Sequence, residues 1–239
     1  MDRTALQEAR TQRTGGTAAF YIALAYLGAM PYFLLAVDYP SAKTVAARVA
    51  LVVGNYASMY AVYLATYVFV GIALGVLAFA LYDRFREFAP ATARVTAAIG
   101  LTWSFVLVAS GMIYAYGMTT IVDLARTDLA QAHAAWQAIE PVALALGGAG
   151  GEILGGLWVL LVSVLALRSG ALPKAHAWFG LVIGGLGLIS MVPPLRDAAY
   201  AFGALQILWL GWLGVVMARK APAGERRWVA GASAVAAER

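Results

Sequence analysis

One carboxylate stands out in this chain. Glu152 lies inside the long apolar run GGAGGEILGGLWVLLVSVLALRSGALP, which extends from Gly147 to Pro173. Glycines at 147, 148, 150, 151, 155 and 156 surround it. Both features are costly in a membrane helix. An ionised carboxylate at bilayer depth costs about 2.5 kcal/mol or more on insertion. A glycine inside a helix costs about 1 kcal/mol relative to alanine. A sequence that keeps both at one place gains packing or function there. The chemistry open to such an acid is proton carriage, cation binding or general acid catalysis in a cavity. The plainer alternative is an acid satisfied by hydroxyls or backbone N–H groups of a neighbouring helix.

Other residues could share that site. Tyr56, Tyr60, Tyr63 and Tyr67 recur at i, i+4, i+7 and i+11, so they occupy one face of a helix. Asn55 and Ser58 make the same half of that helix polar. Trp158 follows Glu152 on its own helix, and Gln206 sits in the last apolar run. The expected ligand-binding set is therefore Glu152, Asn55, Tyr60, Tyr63, Trp158 and Gln206, lining an outward-opening cavity. The alternative for the tyrosines is an aromatic belt at the membrane interface plus core packing. His133 and His176 are expected on opposite faces of the membrane and lack a second ligand at i+3 or i+4, so no metal site is expected. No phosphate loop, nucleophile elbow or nucleotide fingerprint is present, and nothing calls for a cofactor.

The frame that must position these residues follows from composition. Of 239 residues, 62% are hydrophobic and only 12% charged, with a mean hydropathy of +0.77. Soluble domains carry about 25% charged residues. Repeated apolar runs of about 20 residues predict membrane helices instead. The net charge of +5 flanks the apolar runs and does not cluster, which argues against nucleic-acid binding. Membrane lipids and a small or apolar ligand are the partners this composition allows. The chain has no cysteine, which excludes disulfides and thiolate chemistry. Arginine outnumbers lysine fourteen to three in an alanine-rich chain, a balance typical of bacterial sequences.

The expected architecture is all-α: a polytopic bundle of six transmembrane helices over residues 17–219, after a polar cytoplasmic arm (1–16) and before a cytoplasmic tail (220–239). The first helix is predicted from Thr17 to Val37, the second from Val45 to Tyr82 and the third from Ala91 to Met118. The second would be roughly 55 Å long, so it must project from the bilayer or bend near Gly54-Asn55. Residues 128–140 read as a short amphipathic segment on the outer interface, with Leu129, His133, Trp136 and Ile139 as its stripe. Pro141 is predicted to open the fourth helix, which ends near Leu167. Its sixteen residues from Glu152 to Arg168 put the acid roughly 24 Å from that end, inside the bilayer. No second acid lies clearly within a span. The fifth and sixth helices are predicted over His176–Val192 and Ala199–Met217. With both termini inside, thirteen Lys and Arg fall on the cytoplasmic side and four outside, so the positive-inside bias orients the bundle in the cytoplasmic membrane.

Glu152-Ile-Leu-Gly-Gly-Leu-Trp-Val-Leu-Leu, then Arg168-Ser-Gly-Ala-Leu-Pro, then Gly180-Leu-Val-Ile-Gly-Gly resemble a bacterial family. These are uncharacterised six-helix integral membrane proteins of the domain-of-unknown-function type. The match covers residues 150–190. The long tyrosine-rich second helix and the doubled Gly155-Gly156 depart from it. The resemblance implies the topology and singles out Glu152; it implies no activity. Three functional expectations remain. One is a bundle that binds or transports a small molecule or a proton at Glu152. Another is an intramembrane enzyme on a lipid or isoprenoid, with Glu152 as general acid. The third is a structural or regulatory partner subunit whose Glu152 pairs with another subunit's cation.

Overall fold

The computed structural model describes residues 3–147 and 152–219. Among them every regular element is helical, as expected. Four stretches are long and apolar enough to cross a membrane: Ala9–Ala36, Tyr56–Phe85, Pro90–Ala125 and Ala198–Ala218. Three shorter apolar helices join them, Val45–Gly54, Ile153–Ser169 and Lys174–Ile189. Leu27, Ile72, Phe79, Phe105, Val182 and Leu208 point outward as exposed apolar side chains. Such a surface fits an integral membrane protein, where lipid replaces water around the bundle.

The chain runs back and forth between two ends. Helix α1 (Arg3–Pro31) begins at a basic end and finishes in one π-helical turn, Tyr32–Ala36. It starts well before the predicted Thr17. The expected polar arm is helical from Arg3, and Gly15 lies against Ala80 and Met217. At this end Arg84 donates to the carbonyl of Ala171 and to Gln12 Oε1 (2.8 Å), while Gln12 donates to the carbonyl of Ala80. These bonds tie α1 and α4 (Val70–Phe85) to the turn between α7 (Ile153–Ser169) and α8 (Lys174–Ile189). The expected tail 220–239 lies outside the described residues.

The second predicted helix is broken where glycine and asparagine suggested. It comprises α2 (Val45–Gly54), α3 (Tyr56–Tyr63), a π-helical stretch Leu64–Phe69 and α4. Asn55 departs from helical geometry at φ −121°, ψ 21° and donates from Nδ2 to the carbonyl of Leu51 (3.1 Å). Thr44 caps α2, its hydroxyl accepting from the Ala47 N–H at 3.1 Å. Thr44→Ala should cost about 1 kcal/mol, the usual worth of such a cap. Unfolding in detergent micelles, followed by circular dichroism, measures it.

Helix α5 (Pro90–Ala125) is longer than predicted, 36 residues or about 54 Å. Its partner strand of helix is not divided as expected. Residues 129–147 form one helix, α6, which passes through Pro141 and packs along α5, so the expected separate segment over 128–140 is part of a longer helix. The reason is its buried face. Ala132, Trp136, Glu140 and Ala143 recur at i, i+4, i+8 and i+11 and are buried. Ser110 of α5 donates to the carbonyl of Ala143 (2.7 Å), and Gly117 makes room for Ile139. Asp128 starts the helix by accepting from the Gln131 N–H (3.0 Å). The interruption falls instead before Ile153, where α7 begins.

Two cores result. The larger joins α1, α4, the first part of α5, α7, α8 and α9 (Ala198–Ala218) around Leu77, Trp158, Val162, Phe202 and Trp209. The smaller joins α2, α3, the last part of α5 and α6 around Val52, Met59, Tyr114, Met118 and Trp136. Tyr67 packs against both.

Candidate functional site

Glu152 immediately precedes α7, a helix of the larger core. Its φ −87°, ψ 59° lie outside the helix, and its carbonyl accepts the first bond of α7, from Gly156 (2.8 Å). Its N–H donates to Ser190 Oγ (3.1 Å), and Ser190 donates in turn to the carbonyl of Gly187 (2.6 Å). The start of α7 is thereby fastened to the end of α8. The 17 residues of α7 put Glu152 about 26 Å from the basic end. The side chain is half-buried, and Tyr26 of α1 and Tyr67 lie within its electrostatic reach. Among the described residues no cation comes within 4 Å of its carboxylate.

The other expected site residues separate. Tyr63 is buried in the smaller core and stacks on Tyr114, with ring centroids 4.2 Å apart. Tyr60 is half-buried beside Tyr56 at 5.7 Å, and Asn55 forms the pivot above them. Trp158 and Gln206 belong to the larger core. Trp158 lies between Trp103 (5.8 Å) and Trp209 (6.2 Å), fully buried. Gln206 is buried at a narrow gap bounded by Ile22, Tyr26, Leu74, Trp103 and Leu107, which has no room for a water molecule. Among the described residues Trp158 Nε1 and Gln206 Nε2 have no hydrogen-bond partner. Trp158 and Gln206 thus belong to the larger core, whereas Tyr63 belongs to the smaller one.

A second acid escaped the sequence reading. Glu140 is buried in α6 and holds Arg48 of α2, Oε2 to Nη1 2.8 Å. Tyr39, from the short turn Tyr39–Ser41, donates its hydroxyl to Glu140 Oε1. Burial, then that bond, pushes the Tyr39 phenol well above its ordinary pKa, so it stays protonated and remains the donor. Arg48 also donates from Nε to the carbonyl of Ala42 (3.0 Å), which closes the turn onto α2. The signal was available. Glu140 stands at i+4 from Trp136 and i+7 from His133, on the very side of α6 that carries its aromatic residue. Taking Pro141 as a helix start hid it.

The groups of His, Asp and Glu that could hold a metal ion number none among the described residues. Comparison of the chain with protein-family models, curated proteins and solved structures finds no match.

Proposed function

We propose that this chain is a six-span integral membrane protein with both termini in the cytoplasm, and that it takes up a proton or a small cation at Glu152. The span count adds α7 and α8 to the four long apolar stretches. The thirteen-to-four distribution of Lys and Arg supports the orientation. The observation that carries the site is a contrast between two acids. Glu140 is neutralised in place by Arg48 and Tyr39. Glu152 is half-buried, and no cation within 4 Å answers it among the described residues. Two carboxylates in such different settings divide into a structural acid and an acid free to exchange its partner.

Glu152 itself has non-helical φ and ψ just before α7, and membrane proteins tolerate such backbone where a polar path runs. A proton or small cation arriving at Glu152 would come from the side of the tyrosines and leave the tight larger core undisturbed. In proteoliposomes, Glu152→Gln should abolish the proton uptake seen after an external acid pulse. Equal uptake by the wild type and the variant would remove the assignment.

A further inference from the structure

Ser190 closes α8 and is 1% exposed. Its hydroxyl donates to the Gly187 carbonyl at 2.6 Å, which spends its one hydrogen. A lone pair is left to accept, and it takes the Glu152 N–H at 3.1 Å. On its other side, the Glu152 carbonyl accepts from the Gly156 N–H at 2.8 Å. Gly156 is itself close against α8, where a Cβ on it would meet the Gly184 carbonyl oxygen at 2.9 Å. The backbone of Glu152 is therefore held to α8 from both sides.

Glu152 occupies the cap position of α7, yet its carboxylate makes no capping bond. Thr44 shows the ordinary arrangement at the start of α2. Its backbone is extended, at φ −107° and ψ 154°, and its hydroxyl accepts from the Ala47 N–H. Glu152 stands at φ −87°, ψ 59° instead. The difference matters to an acid. The first N–H groups of a helix lack partners within it and form the positive end of its dipole. A carboxylate folded back onto them would be favoured in its ionised form and would take a proton less readily.

We propose that Ser190 is a positioning residue for Glu152. By holding its N–H, the hydroxyl keeps the carboxylate from turning back to cap α7 and leaves it free to take up a proton. This rests on reading Glu152 as the proton-binding acid. The titratable groups that face Glu152 are Tyr26 of α1 and Tyr67. Arg196 and Asp197, beyond the end of α8, are exposed, and neither forms an ion pair among the described residues.

The test is a pH titration of the full chain in lipid nanodiscs, read by infrared absorption of the protonated carboxyl group. Subtracting the Glu152→Gln spectrum identifies the Glu152 band. In Ser190→Ala the carboxylate is released to cap α7, so its acid form should appear only at lower pH. The half-amplitude point should fall by about half a pH unit or more, the scale of a charge at a helix N-terminus. Ser190→Thr keeps the hydroxyl and should restore the wild-type point. Ser169→Ala is the control. At the far end of α7, Ser169 likewise donates to a carbonyl, that of Leu165 (2.7 Å), and accepts from the Ala171 N–H (3.2 Å). Its loss should cost similar stability and leave the titration unchanged. Circular dichroism confirms that each variant is folded. Should Ser190→Ala fail to fold, Ser190→Cys, whose sulfur is a weak acceptor, should show the same downward shift. An unmoved or raised half-amplitude point in these variants, or an equal fall in Ser169→Ala, overturns the positioning role and leaves Glu152 as the acid. A wild-type Glu152 band that appears at no pH removes both readings.

Discussion

Gly156→Ala is expected to lower stability by about 1–3 kcal/mol, as overpacking does, while Gly185→Ala on the facing helix leaves it unchanged or raises it. The two glycines look alike in sequence. In the structure, a Cβ on Gly156 would meet the Gly184 carbonyl oxygen at 2.9 Å, the Leu188 nitrogen at 2.9 Å and the Gly187 carbonyl carbon at 3.1 Å. All three are backbone atoms of α8, so no rotamer change relieves them. The helices must separate, and the Glu152–Ser190 bond at that crossing separates with them. A Cβ on Gly185 meets nothing within 4 Å. There alanine only removes backbone freedom from the unfolded chain. Without a hydrophobic drive between helices in lipid, close backbone approach is a main source of association. Unfolding of both variants in bicelles against the wild type decides the matter. Equal losses for the two would show that the close crossing at Gly156 does not set the cost.

The same pair shows why the fold was largely readable and the site only partly so. Apolar runs, turn residues and charge flanks placed the helix ends of α8 and α9 within a few residues, because lipid burial leaves a long one-dimensional signal. The bend at Gly54-Asn55 was readable for a similar reason: a helix of that length exceeds the bilayer. Pro141 misled because proline is favoured at a first turn but is also tolerated inside a helix when tertiary contacts support it. Here Trp136, Glu140 and Ala143 on one buried face supply those contacts. That error carried Glu140 with it. Local sequence marks an acid as costly but cannot say which distant cation answers it. Arg48 lies 92 residues away.

The grouping of the expected site residues has the same origin. Tyr60, Tyr63 and Tyr67 share a face by periodicity alone, and the structure keeps Tyr63 and Tyr67 together at 5.5 Å. Trp158 was grouped with them because it follows Glu152 on the same helix. Sharing a helix does not fix a side: α7 turns Trp158 toward Trp103 and Trp209.

The pairing of Glu140 with Arg48 makes an asymmetric prediction. Arg48→Leu should destabilise the protein by about 2–3 kcal/mol. Breaking a buried pair by removing one partner costs about 3–5 kcal/mol, and the partial exposure of Arg48 admits water that lowers the figure. What remains is a buried Glu140 carboxylate answered by Tyr39 alone. Glu140→Leu should cost less, about 1 kcal/mol, the worth of a lost hydrogen bond, because the Arg48 guanidinium can turn out to solvent. The double variant should recover most of the Arg48→Leu loss, since two apolar side chains of similar volume often replace such a pair without net cost. The measurement is a double-mutant cycle by chemical unfolding in micelles. Additive losses would mean that the two side chains do not interact in solution, and that the turn at Tyr39 is held on α6 by other contacts.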